Sequence, residues 1–194
     1  MTATAFYPIG TPGQPWNAAD IAEWRSRQIR HRSYEADVSG VIERLRARFD
    51  VVRYGLLEYG ADVYPLFAIR SGDWHDALPC ALVTGGVHGY ETSGVHGALR
   101  FVDRHAAVYA GRVNLLIAPC VSPWAYERIH RWNRDAVDPN RSFRDDSPAP
   151  ESAAPSDKGT NTCLRTRPST SRSIRWMNIC PGPWRREVRW RCRG

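Results

Sequence analysis

The chain has 194 residues, of which 42% are hydrophobic, and this length and composition predict one globular domain with a sizeable core. The formal net charge is +7, yet residues 1–154 hold 17 basic against 18 acidic residues, a net charge of −1. The excess lies in residues 155–194, with ten basic and two acidic residues, so the overall charge does not identify a partner for the main domain.

The beginning of the chain indicates where the protein is located. It lacks the basic start and continuous apolar stretch of a secretory signal, and no later run approaches the length of a membrane span. The five cysteines are odd in number and contain no C-x-x-C pair, while Cys80 and Cys120 lie inside or beside apolar runs. These features predict a cytoplasmic protein with buried free thiols and no membrane partner.

Two helices are predicted near the N-terminus. Asn17 is a suitable N-cap for a helix that continues to about His31, with Ile21 and Trp24 on its inner face. A second helix is indicated by apolar residues at helical spacing, namely Val38, Val41, Ile42, Leu45 and Phe49.

From residue 51 the pattern becomes that of strands. Val51–Leu57 and Tyr64–Ile69 are predicted strands, and Pro65 suggests that the second starts late or lies near an edge. A loop follows, in which we expect His75 to be exposed. Residues 80–118 then predict a strand–helix–strand unit: a strand buried on both faces from Cys80, a helix over 92–107 and a strand over 112–118. Residues 119–143 show no helix or strand period and are expected to form a long functional loop.

The segment Val83–Glu91, V-T-G-G-V-H-G-Y-E, is the first candidate site. His88 and Glu91 are three residues apart, which places an imidazole and a carboxylate on one side of a turn, close enough to share one small cation. Three glycines, Gly85, Gly86 and Gly89, are expected to supply the unusual backbone angles of such a turn. The alternative is purely structural: His88 caps the following helix and Glu91 complements its dipole.

A second motif follows about fifty residues later. Arg131 precedes Trp132–Phe143, which reads W-N-R-D-A-V-D-P-N-R-S-F. Together, G-G-V-H-G-Y-E and this segment resemble the zinc carboxypeptidases of the carboxypeptidase A type, and their relatives, the succinylglutamate desuccinylase and aspartoacylase enzymes. The resemblance covers roughly residues 50–154. It implies an α/β fold, corresponding to the amino-terminal half of a mixed β-sheet flanked by helices.

The resemblance also implies roles for individual residues. His88 and Glu91 match zinc ligands, and Asp138 matches the acid that hydrogen-bonds the first zinc histidine. Arg131, Asn140 and Arg141 match positions that grip a substrate carboxylate or polarise its carbonyl. The implied substrate is a peptide or an N-acyl amino acid with a free carboxylate, and the implied cofactor is zinc.

The chain departs from the family pattern after the second motif. The family's third zinc ligand is a downstream histidine, but this sequence has no histidine after His130, and His96 and His105 are carried away from the turn by their helix. The general-base glutamate and the substrate-side tyrosine also have no counterpart. Only Glu151 and Glu187 remain as glutamates after Arg141, so no catalytic residue is assigned.

The final forty residues suggest a reason for this departure. Residues 155–194 are rich in Arg, Trp, Cys and Pro without any usable period, and we interpret them as an irregular, disordered tail read out of frame. The expected domain is therefore 1–154, a truncated metallocarboxypeptidase-type hydrolase without activity. The alternatives are an N-acyl amino acid deacylase and a non-catalytic fragment whose basic tail binds acidic partners. The tail's composition disfavours nucleic acid.

Overall fold

A computed structural model describes residues 8–72, 74–143 and 147–152. The predicted tail and the predicted boundary at residue 154 lie outside these ranges. Four longer helices and four strands are described: α1 (Ala18–Ser26), α2 (Gly40–Leu45), β1 (Asp50–Tyr59), β2 (Asp62–Arg70), β3 (Cys80–Thr84), α3 (Thr92–Arg104), β4 (Asn114–Ala118) and α4 (Pro123–Arg128). A π-helical turn (Glu35–Ser39) and two short 3₁₀ helices (Ala106–Tyr109 and Pro139–Arg141) complete the description.

The strands form one mixed sheet in the order β1-β2-β4-β3. β1 and β2 form an antiparallel hairpin, β2 pairs with β4 antiparallel through Ile69 and Arg70, and β3 runs parallel to β4 along its whole length. The parallel pair is joined by α3, which confirms the predicted strand–helix–strand unit. The prediction of an α/β fold with a mixed sheet flanked by helices is therefore confirmed.

The first helix begins where the sequence predicts but ends earlier. The Asn17 side chain accepts hydrogen bonds from the backbone of Ala19 and Asp20, and the Asp20 carboxylate accepts one from the Asn17 N–H, which forms a reciprocal capping box. The helix ends at Ser26 and does not continue to His31. The N–H groups of residues 31 and 32 donate to the Glu127 carbonyl, so this segment bonds to α4 instead of extending α1.

The core lies between the sheet and the helices. The predicted inner faces of the second and third helical segments are confirmed, because the buried residues recur at helical spacing: Val38, Ile42, Leu45, Val95, Leu99 and Val102. They pack with the central strands, including Ile69, Leu116 and Ile117. Full burial of each such side chain contributes on the order of 1.5–3 kcal/mol, so this layer fixes how α3 and β3 are placed.

Two predictions about the strands were wrong. β3 is only partly buried and Cys80 is exposed, because among the described residues this strand has a neighbour, β4, on one side only; Cys120 is buried, as expected. Pro65 does not delay β2, which starts at Asp62 and has a neighbour on either side. β4 pairs only with the far end of β2, so the missing N–H of Pro65 interrupts no bond to that strand.

The stretch after β4 is less irregular than predicted. Residues 123–128 form α4, which starts with Pro123 at its first turn and is almost entirely buried. His75 is exposed in its loop, as predicted. Within the described ranges, no helix combines the length and the apolar character that crossing a membrane requires.

Candidate metal centre

The candidate site begins where β3 ends, and its glycines are required for two different reasons. Gly86 has a φ of +56°, which is the left-handed conformation expected there. Gly85 and Gly89 have ordinary φ values, but each lies against neighbouring backbone. A Cβ on Gly89 would lie 1.9 Å from the carbonyl carbon of Ala125, so the turn sits directly on α4.

The side chains of His88 and Glu91 meet within this turn. His88 Nδ1 lies 2.8 Å from Glu91 Oε1, and the Glu91 N–H donates to the His88 carbonyl at 3.1 Å. The structural alternative was that His88 caps α3. Instead, Glu91 occupies the N-cap position and its side chain makes no capping bond, so both side chains are free to face one another.

Asp138 contacts the other ring nitrogen of His88. Its Oδ1 lies 2.9 Å from His88 Nε2 and also accepts the Asn140 N–H at 3.0 Å. Burial by itself raises the pKa of Asp138, but hydrogen bonds and charge from His88 and Arg131 outweigh it and hold that pKa below its usual value. An ionised Asp138 fixes the orientation of the buried His88 ring and directs Nδ1 toward Glu91.

Arg131 is already engaged by the protein itself. Its Nε and one terminal nitrogen donate to Asp138 Oδ2 at 3.1 and 2.9 Å, and its other terminal nitrogen donates to the Tyr90 hydroxyl at 3.1 Å. The Tyr90 ring stacks on His88, with 5.7 Å between ring centroids and an angle of 7° between the planes. The sequence analysis predicts no role for Tyr90, although its position between His88 and Glu91 indicates that it belongs to the same turn.

The other two predicted substrate residues are more exposed. The Arg141 side chain is 79% exposed, and its Nε lies 3.6 Å from Asp138 Oδ2. Asn140 is exposed, and only its backbone N–H bonds to Asp138. The structure thus brings all six predicted site residues close together. The Arg131 side chain is bound to Asp138 and Tyr90, whereas the Arg141 side chain is exposed to solvent.

A buried pair, not predicted from the sequence, organises the loop that carries these residues. The Asn133 amide donates to Glu151 Oε2 at 2.9 Å, and its oxygen accepts the N–H groups of Asp135 and Val137. These bonds hold Ala136 at a φ of +58°, a conformation that costs an alanine about 1–2 kcal/mol. Burial raises the pKa of Glu151 above its ordinary value, against hydrogen bonds from Asn133 and Tyr59 that lower it.

No family model matches the chain, and no curated protein matches it. Among solved structures, a candidate metallopeptidase from Shewanella baltica matches with 27% identity and a TM-score of 0.50, over 66% of this chain and 51% of that one. A metallo-carboxypeptidase from Burkholderia cenocepacia matches with 17% identity and a TM-score of 0.50, over 61% and 35%. The chain resembles the zinc carboxypeptidase-like family.

The matches cover only part of each known structure. A succinylglutamate desuccinylase/aspartoacylase from Rhodobacter sphaeroides matches with 23% identity and a TM-score of 0.39, over 46% of this chain and 28% of that one. The chain spans only about half, or less, of the length of each of these three structures. The two matches with a TM-score of 0.50 therefore establish a shared fold for this part.

The His88 nitrogen and the Glu91 carboxylate are donor types that zinc binds, and the distance between them is close to that between two ligands of one zinc ion. Two ligands at about 2.0–2.1 Å on a tetrahedral ion lie about 3.3 Å apart, so the 2.8 Å between His88 Nδ1 and Glu91 Oε1 must open by about half an ångström. The Glu91 side chain is 41% exposed and has room to move, while that of His88 is 6% exposed. Within the described residues, no group of three or more potential ligands comes together.

The remaining histidines near this part of the fold face elsewhere. His96 Nε2 lies 3.2 Å from the Tyr126 hydroxyl, and the His130 ring packs edge-on against Trp24 at 5.6 Å. Burial, with the charges of His31 and Arg128, lowers the pKa of His130. The described residues therefore bring together one histidine, His88, and two carboxylates, those of Glu91 and Asp138, at this site.

Proposed function

We propose that this chain carries the first two ligands of a zinc-dependent hydrolase of the metallocarboxypeptidase type, which cleaves amide bonds next to a free carboxylate. The supporting observation is the arrangement around His88. Its Nε2 is occupied by Asp138, and its Nδ1 is directed at the carboxylate of Glu91. A structural histidine needs neither a second carboxylate nor a fixed tautomer, whereas a metal-binding histidine uses both.

A zinc ion held by His88 and Glu91 would supply a Lewis acid for the substrate carbonyl and lower the pKa of a bound water. The chain's own contribution is orientation and substrate binding. Arg141, with its exposed guanidinium, suits the free carboxylate of a substrate because a planar fork matches that group. Arg131 is placed to hold Asp138, and two of its N–H bonds remain for a substrate oxygen.

This chain is expected to bind zinc weakly and to turn over no substrate. A catalytic zinc site has three protein ligands, and the described residues bring together two. Loss of a general base alone lowers rate by on the order of a hundredfold or more. The substrate can be a peptide or an N-acyl amino acid, since both carry the free carboxylate that Arg141 suits.

Zinc titration by calorimetry tests the site without requiring activity. We expect weak binding in the unmodified protein, loss of that binding in His88→Ala, and a ten- to hundredfold lower affinity in Asp138→Asn, because the histidine loses its orienting charge. His105→Ala is the matched control, since this exposed histidine contacts Phe101 and is not part of the site. Circular dichroism of each variant establishes that it is folded.

Two results would contradict the proposal in different ways. If His88→Ala binds zinc as well as the unmodified protein does, the metal is held elsewhere and the site assignment is wrong. If the purified protein carries stoichiometric zinc and hydrolyses a peptide or an N-succinyl amino acid, and His88→Ala abolishes this, the site is right and the expected lack of activity is wrong.

A further inference from the structure

A groove that takes no part in the candidate metal centre runs between α2 and α3. Its volume is about 480 Å³, which is within the range of ligand-binding clefts. Three apolar side chains contribute to its lining: Val41 and Leu45 from α2, and Leu99 from α3. Leu45 and Leu99 are each only 4% exposed and Val41 is partly buried, so the apolar surface open to a ligand is small and is fixed by the packing of the two helices.

The same groove is lined by four arginines. Arg44 and Arg48 are four residues apart on the α2 side, and Arg100 and Arg104 are four residues apart on α3. Arg100 and Arg104 point to the same side of α3 at this spacing, whereas Arg48 lies in the turn that follows α2. Asp103 is the one acidic residue in the lining, so the lining has a net charge of +3 with its histidine neutral.

The protein itself uses little of this positive charge. Arg48 donates to the Asp103 carboxylate at 2.8 Å and to its carbonyl at 2.7 Å, and Arg44 donates to the Gly40 carbonyl. In the described part of the chain, the side chains of Arg100 and Arg104 have no hydrogen bond or ion pair. Clustered like charges repel one another, and an anion placed among them removes that cost.

We propose that this groove binds an acidic peptide segment of a partner protein. The apolar lining would contact the segment's apolar side chains, and the arginines on both helices would pair with its carboxylates. A free phosphate would use the arginines but leave the apolar surface uncovered, so the combination favours a chain that presents both kinds of side chain. The basic residues 155–194 have the wrong charge to occupy the groove.

Fluorescence anisotropy with a labelled ten-residue peptide of glutamates, with leucines at helical spacing, tests the proposal. We expect the double variant Arg100→Ala/Arg104→Ala to weaken binding by roughly tenfold, the effect of losing two partly screened ion pairs. The control is Arg53→Ala/Arg112→Ala, which removes two exposed arginines outside the groove and should bind as the unmodified protein does. Every protein retains the basic residues 155–194, so a difference between the two double variants reports on the groove.

A second peptide, with serine in place of leucine, tests the apolar contact. We expect it to bind several-fold more weakly than the leucine peptide to the unmodified protein, and more weakly still to the double groove variant, which has lost two of the arginines that pair with its glutamates. Equal weakening by the two double variants would overturn the proposal, because the attraction would then be unspecific. It would also be overturned if the serine peptide or inorganic phosphate bound as tightly as the leucine peptide, because the site would then recognise anions alone.

Discussion

Gly89→Ala tests the close contact between the metal-centre turn and α4. The new Cβ would lie 1.9 Å from the carbonyl carbon and 2.2 Å from the carbonyl oxygen of Ala125, and 2.2 Å from the Tyr126 nitrogen. All three are backbone atoms of a buried helix, so no side-chain rotation can relieve the overlap. Overpacking a well-ordered interior costs about 1–3 kcal/mol, and this contact belongs at or above the upper end of that range.

The expected loss is therefore about 3 kcal/mol of unfolding free energy, which corresponds to a fall in Tm of about 6–12 °C for a chain of this size. Thermal unfolding followed by circular dichroism measures it. Gly97→Ala is the matched control: a Cβ there meets nothing within 4 Å, and the site lies inside α3. An exposed helical glycine replaced by alanine should gain about 0.5–1 kcal/mol. A Gly89→Ala protein melting within 2 °C of the unmodified one would refute the described packing.

Two further variants test other parts of the structure. Asn17→Ala removes both side-chain bonds at the start of α1 and should cost about 1 kcal/mol in urea unfolding, whereas Asn17→Asp should cost little. Burial raises the pKa of Glu151 above its ordinary 4.5, so its contribution to stability is fully present below that pH and is lost as the pH rises through the raised value. Glu151→Gln should accordingly be more stable than the unmodified protein at pH 8, with the difference disappearing below pH 4.5; the same difference at both pH values would show that Glu151 does not titrate as described.

Local physics explains which parts of the fold could be predicted from the sequence. Val38, Ile42 and Leu45 recur at 3.6-residue spacing, so their common burial follows from helix geometry alone. The N-cap hydrogen bonds of Asn17 involve only the three residues that follow it. His88 and Glu91 meet for the same reason, because a separation of three residues within one turn leaves little freedom.

Interactions between distant segments decided the rest. Asp138 reaches His88 across 50 residues of sequence, and its pairing was expected from the family resemblance and not from spacing. α1 ends at Ser26, and the N–H groups of His31 and Arg32 donate to the Glu127 carbonyl, about a hundred residues later. Neither position carries a local signal, since the chain must first fold before these groups become neighbours.

The sequence by itself determined the helical faces, the N-cap of α1, the two site motifs and the meeting of His88 with Glu91. Only the tertiary structure decided that Arg131 is bound to Asp138 while Arg141 is open, and that Asn133 and Glu151 form a buried pair beneath the loop. The physical reason is that propensity and periodicity act over one or two turns of chain. The direction and burial of a polar side chain, by contrast, depend on which distant segments surround it.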